Sequence, residues 1–296
     1  MPELAYHIVD VFTETPLRGN PLAVVMNTCD LGSEQMQAIA REFNLSETTF
    51  VERRAPAVEH EQGVRVRIFT TQEELNFAGH PTLGTASVLK THAPETMRGG
   101  RVTLALNVGA VPVEFAGEGL HGMMTQRDPE FGVEMDAAEV ARLTGLHRED
   151  LDPGLRPQIV STGTAFAIVV LRSVEALGRL RVQQEEATRR LRGLGARWFY
   201  VLAPDPDQEG GSTRWQARMQ FYGGEDAATG SAAGCAIGYL VGRGAVKPEQ
   251  IVHVRQGVEM GRPSDLYLSA RLAAKVSDVR VGGSTVPVAN GRIFLP

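Results

Sequence analysis

The sequence is poor in cysteine, has no long basic stretch and contains no long apolar run, and each shortage closes off a class of protein. Two cysteines, Cys29 and Cys235, stand far apart in 296 residues. Two are too few for a disulfide framework, and neither a CxxC pair nor paired Cys/His metal spacing occurs. The expectation is two buried or half-buried free thiols in a reducing cytoplasm. The net charge is −5 without a basic run, which argues against nucleic acid as a partner. The start, MPELAYHIVDVF, lacks the basic-then-apolar order of a secretory signal, so a cytoplasmic location is expected. The purest apolar run, Ala165 to Leu171, is far too short to cross a bilayer. HExxH, a P-loop lysine behind a glycine loop, and GxGxxG after the first strand are all missing. No metal, cofactor or membrane partner is therefore expected.

What is present is an ordinary globular composition, 43% hydrophobic and 22% charged. At roughly 150 residues per domain, the length suggests two domains, each able to bury its own core. Strands are predicted at His7–Phe12, Thr48–Glu52, Val64–Phe69, Arg101–Leu106 and Val111–Phe115. Met36, Ile39, Ala40 and Phe43 have the i, i+3, i+4, i+7 spacing of an amphipathic helix over Ser33–Phe43. The second half opens on Asp136-Ala137-Ala138-Glu139, a capping-box-like helix start. Strands are then predicted at Ala165–Leu171, Trp198–Leu202, Trp215–Phe221, Ile251–Arg255, Leu266–Arg271 and Gly291–Leu295. Gly117–Gly122 and Pro204–Gly211 read as loops, the second as mobile.

Two segments are small and apolar nearly all round: Ala78 to Leu89 and Gly230 to Val241. They read as buried helices, the first with Pro81 in its opening turn, where a missing N–H costs nothing. Ala78, Gly84 and Ala86 fall on Ala228, Gly234 and Ala236 at a constant offset of 150 (234 − 84). A weaker echo sets Glu47-Thr48-Thr49-Phe50 on Gly163-Thr164-Ala165-Phe166. A period of half the chain suggests duplicated domains rather than a solenoid. Chance similarity between two alanine- and glycine-rich helices is the alternative.

Buried helix starts present N–H groups and a positive dipole end, and glycines there admit a ligand close to the backbone. Gly79 and Gly230 occupy such positions; close helix–strand packing explains each equally well. Polar residues gather nearby: His80 at the first start, Asp226 and Ser231 near the second, and Glu47 just before the strand Thr48–Glu52. Each has a plain alternative, as a cap, a packing residue or a solvated loop carboxylate. Together they form a set suited to proton transfer, with the active site expected in a cleft between the halves.

Five stretches carry a resemblance. They are Gly19-Asn20-Pro21-Leu22-Ala23-Val24-Val25, Leu45-Ser46-Glu47-Thr48-Thr49-Phe50-Val51, Arg67-Ile68-Phe69-Thr70 leading into Phe77-Ala78-Gly79-His80-Pro81-Thr82-Leu83-Gly84, Glu225-Asp226-Ala227-Ala228-Thr229-Gly230-Ser231-Ala232, and Gln256-Gly257 followed by Gly261-Arg262-Pro263-Ser264. In this order, over nearly the whole chain, they resemble the PhzF family of phenazine-biosynthesis-like isomerases. The resemblance implies an α/β (α+β) protein with the diaminopimelate-epimerase-like fold. Each of two pseudo-symmetric domains would wrap a curved mixed sheet around a central helix. The domains would cover residues 1–118 and 119–276, with a C-terminal strand at about 277–296 returning to the first. It implies a homodimer acting on a small carboxylate without a cofactor. Glu47 resembles the family's general acid/base, with a carboxyl raised by partial burial. His80, Asp226 and Ser231 match its supporting catalytic residues, and Asn20, Gly79, Thr229 and Gly230 its substrate-binding positions. Thr71 and Ala227 depart from the family, which has proline at both places.

The implied activity is an isomerase in which Glu47 moves a proton on one substrate face. Two alternatives remain at this level. One is a non-enzymatic binding protein for a small anion. The other is a racemase or epimerase of the same fold; its two-cysteine form is disfavoured because Ala78 and Ala228 stand where its cysteines would.

Overall fold

The computed structural model describes residues 3–205, 214–221 and 224–295. The chain divides into two compact units, Met1–Thr125 with Gly282–Pro296, and Gln126–Val281.

The first unit opens on β1 (Glu3–Val11) and β2 (Asn20–Val25), which pair antiparallel. Helix α1 (Ser33–Phe43) leads to β3 (Glu47–Glu52), parallel to β2. A short α2 (Pro56–Gln62) precedes β4 (Val64–Phe69), antiparallel to β3, and the two-residue β5 (Glu74–Leu75). Then come α3 (Gly79–His92), β6 (Arg101–Leu106), β7 (Gly109–Phe115) and β8 (His121–Thr125). Helix α3 packs on β1, β2, β3, β6, β7 and β8. Every residue from Gly79 to Leu89 is buried, which is why this helix has no polar face. Helix α1 is amphipathic as its spacing demands: Met36, Ile39 and Ala40 join Val25, Phe50 and Phe69 in a separate apolar cluster.

The second unit contains β9 (Glu130–Glu134), α4 (Ala137–Thr144), β10 (Gln158–Ser161), β11 (Ala165–Val170), α5 (Val174–Gly178), α6 (Gln184–Arg192) and β12 (Trp198–Pro204). It continues through β13 (Arg214–Arg218), β14 (Gln220–Phe221), β15 (Gly224–Glu225), α7 (Gly230–Gly242), β16 (Val252–Gln256) and β17 (Ser264–Leu272). Asp136 caps α4 by accepting from the Glu139 N–H at 2.9 Å. Helices α4, α5 and α6 bury Val140, Leu177 and Leu191 with Val169, Phe199 and Val201. Helix α7 packs on β10, β11, β12 and β17, and is buried from Gly230 to Val241. The last strand, β18 (Val276–Phe294), belongs to the first unit from Gly282 onward, where it pairs antiparallel with β1.

The order β1-β2-β3-β4-β6-β7 runs antiparallel, parallel, antiparallel, parallel, antiparallel. The order β10-β11-β12-β13-β16-β17 repeats it. The offset of 150 carries β4 to 214–219, against Arg214–Arg218 observed, and β6 to 251–256, against Val252–Gln256. The same topology corrects the weaker echo: β3 corresponds to β12, and β11 to β2. Four residues of β-rich sequence after a turn were too few to set that alignment.

Other expectations change in detail. Gly122 lies inside β8 rather than in a loop, and the strand expected over Trp215–Phe221 is interrupted at Met219. Of the loop expected at Pro204–Gly211, Pro204 ends β12, and 206–211 lie outside the described residues. Cys235 is buried, but Cys29 is exposed, its thiol directed to the Arg53 carbonyl at 2.9 Å. No helix among the described residues is long and apolar enough to cross a membrane.

Two glycines set the packing of the central helices, Gly84 against the strands β1 and β2 and Gly234 against the Gln126 side chain. A Cβ at Gly84 would sit 2.7 Å from both Leu22 Cδ2 and Val11 Cγ2, and one at Gly234 would sit 2.0 Å from Gln126 Oε1. Gly84→Ala and Gly234→Ala should each destabilise the protein by about 1–3 kcal/mol through overpacking. Gly119→Ala, with nothing within 4 Å of the added carbon, should change stability by less than ~0.5 kcal/mol. Urea midpoints of the three variants check this; equal midpoints would show that the helices move aside freely.

Candidate active site

The register of β3 against α3 decides which side chains meet. Thr49 and Thr85 hydroxyls lie 2.8 Å apart and buried. Side chains two apart on a strand share a face, so Glu47 faces α3 as Thr49 does, about 6.6 Å further back. His80 is five residues before Thr85, about 7.5 Å back along the helix. The axial displacements nearly match; His80 lies about 140° round the helix from Thr85, toward β2, and Glu47 Oε2 reaches to 3.4 Å from its Nε2 without a hydrogen bond between them. Asn20 joins them because it starts β2, two residues before Leu22, which lies beside Glu47 in the parallel register. Gly84 is one turn along α3 from His80 and on the same face. Its missing side chain therefore brings His80 down onto β2, where Nδ1 lies 3.1 Å from Asn20 Nδ2.

These groups are nearly dry. Asn20 is 1% exposed, His80 3%, and the Glu47 side chain 16%. Desolvation lowers the His80 pKa from 6.5 to about 3, so the imidazole is neutral at physiological pH. The contact with Glu47 is thus one between a carboxyl group and a neutral ring. Ser46 Oγ donates to Asn20 Oδ1 at 3.2 Å. At the start of α3 no side chain caps the helix, and Thr82 bonds back to the Ala78 carbonyl. Pro81 has no N–H to satisfy, and the Gly79 and His80 N–H groups open the helix.

In the second unit the polar cluster centres on Gln256, which is 0% exposed. Its Oε1 accepts from the Tyr200 hydroxyl and the Thr229 N–H, each at 3.1 Å. Its Nε2 donates to the Asp226 carbonyl and to Thr229 Oγ1, each at 2.9 Å. Thr229 Oγ1 in turn donates to Asp226 Oδ2 at 2.7 Å. Burial, with the nearby Asp226 carboxyl, pushes the Tyr200 phenol upward, so it remains a donor. From the other side Gln126 Nε2 donates to the Gly230 carbonyl at 2.9 Å, while Gln126 Oε1 accepts from Thr162 at 2.7 Å. Asp226, Thr229, Gly230 and Ser231 are therefore brought together at the start of α7, which has no side-chain cap. The N–H and O–H of Thr229 are both spent within the protein. Just ahead, buried Arg218 pairs with Glu225 at 2.7 Å and donates to the carbonyls of Leu177 and Gly178, fixing the approach to Asp226.

Gln256, Gln126, Tyr200 and Ser46 were not singled out for roles. For the two glutamines a signal exists: Val252, Val254, Gln256 and Gly122, Met124, Gln126 are alternate, inward-facing positions, and a polar side chain there must find partners. Cys235 is the sixth residue of α7, and burial pushes its thiol up to about 11, far from thiolate chemistry. Among the described residues no group of three or more His, Cys, Asp or Glu side chains is placed to hold a metal.

The twice-built α+β scaffold, with buried helix starts that no side chain caps, is that of an isomerase family. A family model described as phenazine biosynthesis-like protein (PhzC-PhzF) matches residues 9–291, and the chain belongs to that family. It is 36% identical to the trans-2,3-dihydro-3-hydroxyanthranilate isomerase of Pseudomonas aeruginosa, over 98% of this chain and 99% of that one. Among solved structures, a predicted epimerase from Pseudomonas aeruginosa is 35% identical, with TM-score 0.82 and coverage of 99% of this chain and 100% of that chain. A PhzF-family protein from Bacillus anthracis, 23% identical, shares the fold at TM-score 0.85 over 100% of both chains. The chain is an isomerase, which sets aside the anion-binding-protein alternative.

Two measurements follow from burial. Because the folded pKa of His80 lies below its unfolded value, its contribution to stability is present above pH 6.5 and is lost as pH falls toward about 3. Between pH 7 and 4 the wild type should lose on the order of 1–3 kcal/mol more stability than His80→Gln, read from urea midpoints. Parallel losses would mean that His80 titrates normally. Iodoacetamide should label Cys29 in the native protein and reach Cys235 only in denaturant, as mass spectrometry would show; native labelling of both would contradict the packing of α7.

Proposed function

We propose that this isomerase is cofactor-independent and shifts a proton between two positions of a small carboxylate, with Glu47 as the acid–base group. The observation that carries the reading is the apposition of Glu47 and His80 at 3.4 Å in a nearly dry setting. As carboxylate, Glu47 takes a proton from a carbon next to an activating group. As carboxylic acid, it returns that proton elsewhere on the same face, so the net reaction neither gains nor loses atoms. His80 is neutral and supplies no positive charge that would trap Glu47 in its ionised form. The N–H groups opening α3 at Gly79 suit a substrate carboxylate and the negative charge that develops on proton removal. In the second unit Asp226, Ser231, Thr229 and Gly230 are the corresponding polar set at the start of α7, with Thr229 holding Asp226 in place.

The substrate class in this reading is a ring bearing carboxylate with amino and hydroxyl groups, as in the compound named for the Pseudomonas aeruginosa relative. The protein would act as a cytoplasmic homodimer on a free metabolite, without nucleic acid, in keeping with a net charge of −5.

The test is Glu47→Gln, assayed with trans-2,3-dihydro-3-hydroxyanthranilate, or with the best amino or hydroxy carboxylate from a thermal-shift screen if that compound is inert. Binding by calorimetry should persist while turnover falls ~10²–10⁴-fold, the range for loss of a general acid or base. Near-normal turnover in the variant would overturn the assignment and move attention to His80 and Asp226.

A further inference from the structure

Helix α3 places the His80 ring, but the position of its proton depends on another element. A neutral imidazole carries one N–H, on Nδ1 or on Nε2. Nδ1 faces the amide nitrogen of Asn20 at 3.1 Å. An amide NH₂ offers only hydrogens, so Nδ1 must accept and the ring proton must sit on Nε2. Behind it, Ser46 Oγ lies 3.2 Å from Asn20 Oδ1 and donates to it; the hydroxyl follows the amide, and the sense of the amide is set on the His80 side.

The reverse arrangement has a specific cost. Turning the amide over would set its oxygen against Nδ1 and move the ring proton there. The Nε2 lone pair would then face Glu47 Oε2 at 3.4 Å. Two electron-rich atoms so placed repel whenever Glu47 is ionised, and the low polarity of a site this buried strengthens the repulsion. Asn20 at 1% exposure and His80 at 3% leave little room for water to take over either partner's role.

We infer that Asn20 is a positioning residue: it holds His80 as the Nε2–H tautomer and so keeps the N–H edge of a neutral ring, rather than its lone pair, 3.4 Å from Glu47 Oε2, short of a formed hydrogen bond. Asn20 thus acts through His80 rather than as the substrate contact that the family resemblance implies. His80 in turn presents no lone pair to Glu47 and is not a second base, since its lone pair is committed to Asn20. The catalytic meaning rests on the acid–base reading of Glu47; the tautomer itself does not.

The decisive experiment needs no substrate. In wild-type protein labelled with ¹⁵N-histidine, long-range ¹H–¹⁵N correlation should show His80 with protonated Nε2 and bare Nδ1 from pH 8 to 5. Asn20→Asp, which presents acceptors only, should move the proton to Nδ1; Asn20→Ala should give a mixture of tautomers. With substrate, Asn20→Asp should lower kcat by at least ~10²-fold, as for an acid–base pair held in the wrong tautomer, with KM little changed. A wild-type Nδ1–H tautomer, or variants that leave the tautomer untouched, would overturn the inference. So would an effect confined to KM, the mark of a direct substrate contact. If the variants do not fold, the wild-type spectrum still decides. Normal turnover in Glu47→Gln alongside a wild-type Nε2–H signal would remove the Glu47 reading and leave the tautomer assignment standing.

Discussion

The close approach of a side-chain-poor helix to a sheet is the constraint on which the rest depends. Gly84 lets α3 lie within contact of Val11 and Leu22, where a single added carbon would collide. One turn earlier on the same face stands His80, so the approach that Gly84 permits is also what presses His80 against Asn20 and over Glu47. A larger residue at 84 would lift the helix and loosen the site together. Packing and chemistry are coupled here through the 3.6-residue period of one helix.

That same packing sets the electrostatics. A carboxyl group 3.4 Å away would ordinarily favour a protonated histidine, yet burial dominates and holds the His80 pKa near 3. Moving a cation into a site only 3% exposed costs more than one facing carboxylate returns. The result is a dipole, not a charge, opposite Glu47. In the acid–base role proposed for Glu47, such a neighbour serves better than a fixed cation, which would hold the carboxyl in one state.

The duplication explains the scaffold, and its divergence falls at the helix starts. Both units keep the same order of parallel and antiparallel strands and a packing glycine at the same place, Gly84 and Gly234. At the helix starts the match ends: the offset sets Gly230 against His80, Ser231 against Pro81 and Asp226 against Asn76. Even the rigidifying amides differ. Asn20 orients a ring in one unit, while Gln256 binds the turn from Asp226 to Thr229 in the other.

Much was legible in the residues themselves. The buried helices, the offset of 150 and most long strands follow from side-chain size and periodicity, which are local properties. Short elements such as α2, β9 and β10 escaped, since a few residues of mixed pattern do not outweigh tertiary preference. Within the site, sequence put Glu47, His80, Asn20, Asp226 and Ser231 on the page as polar residues beside glycine-rich helix starts, but left each one open to a plainer role. Only the fold decided that residues 20, 46, 47 and 80 share one network, that Gln256 and Gln126 anchor the second helix start, and that Cys29 faces outward while Cys235 does not. The physical reason is that pattern along a chain determines which face a side chain takes, whereas strand register, helix approach and desolvation, and with them the protonation of His80, arise only when distant segments pack.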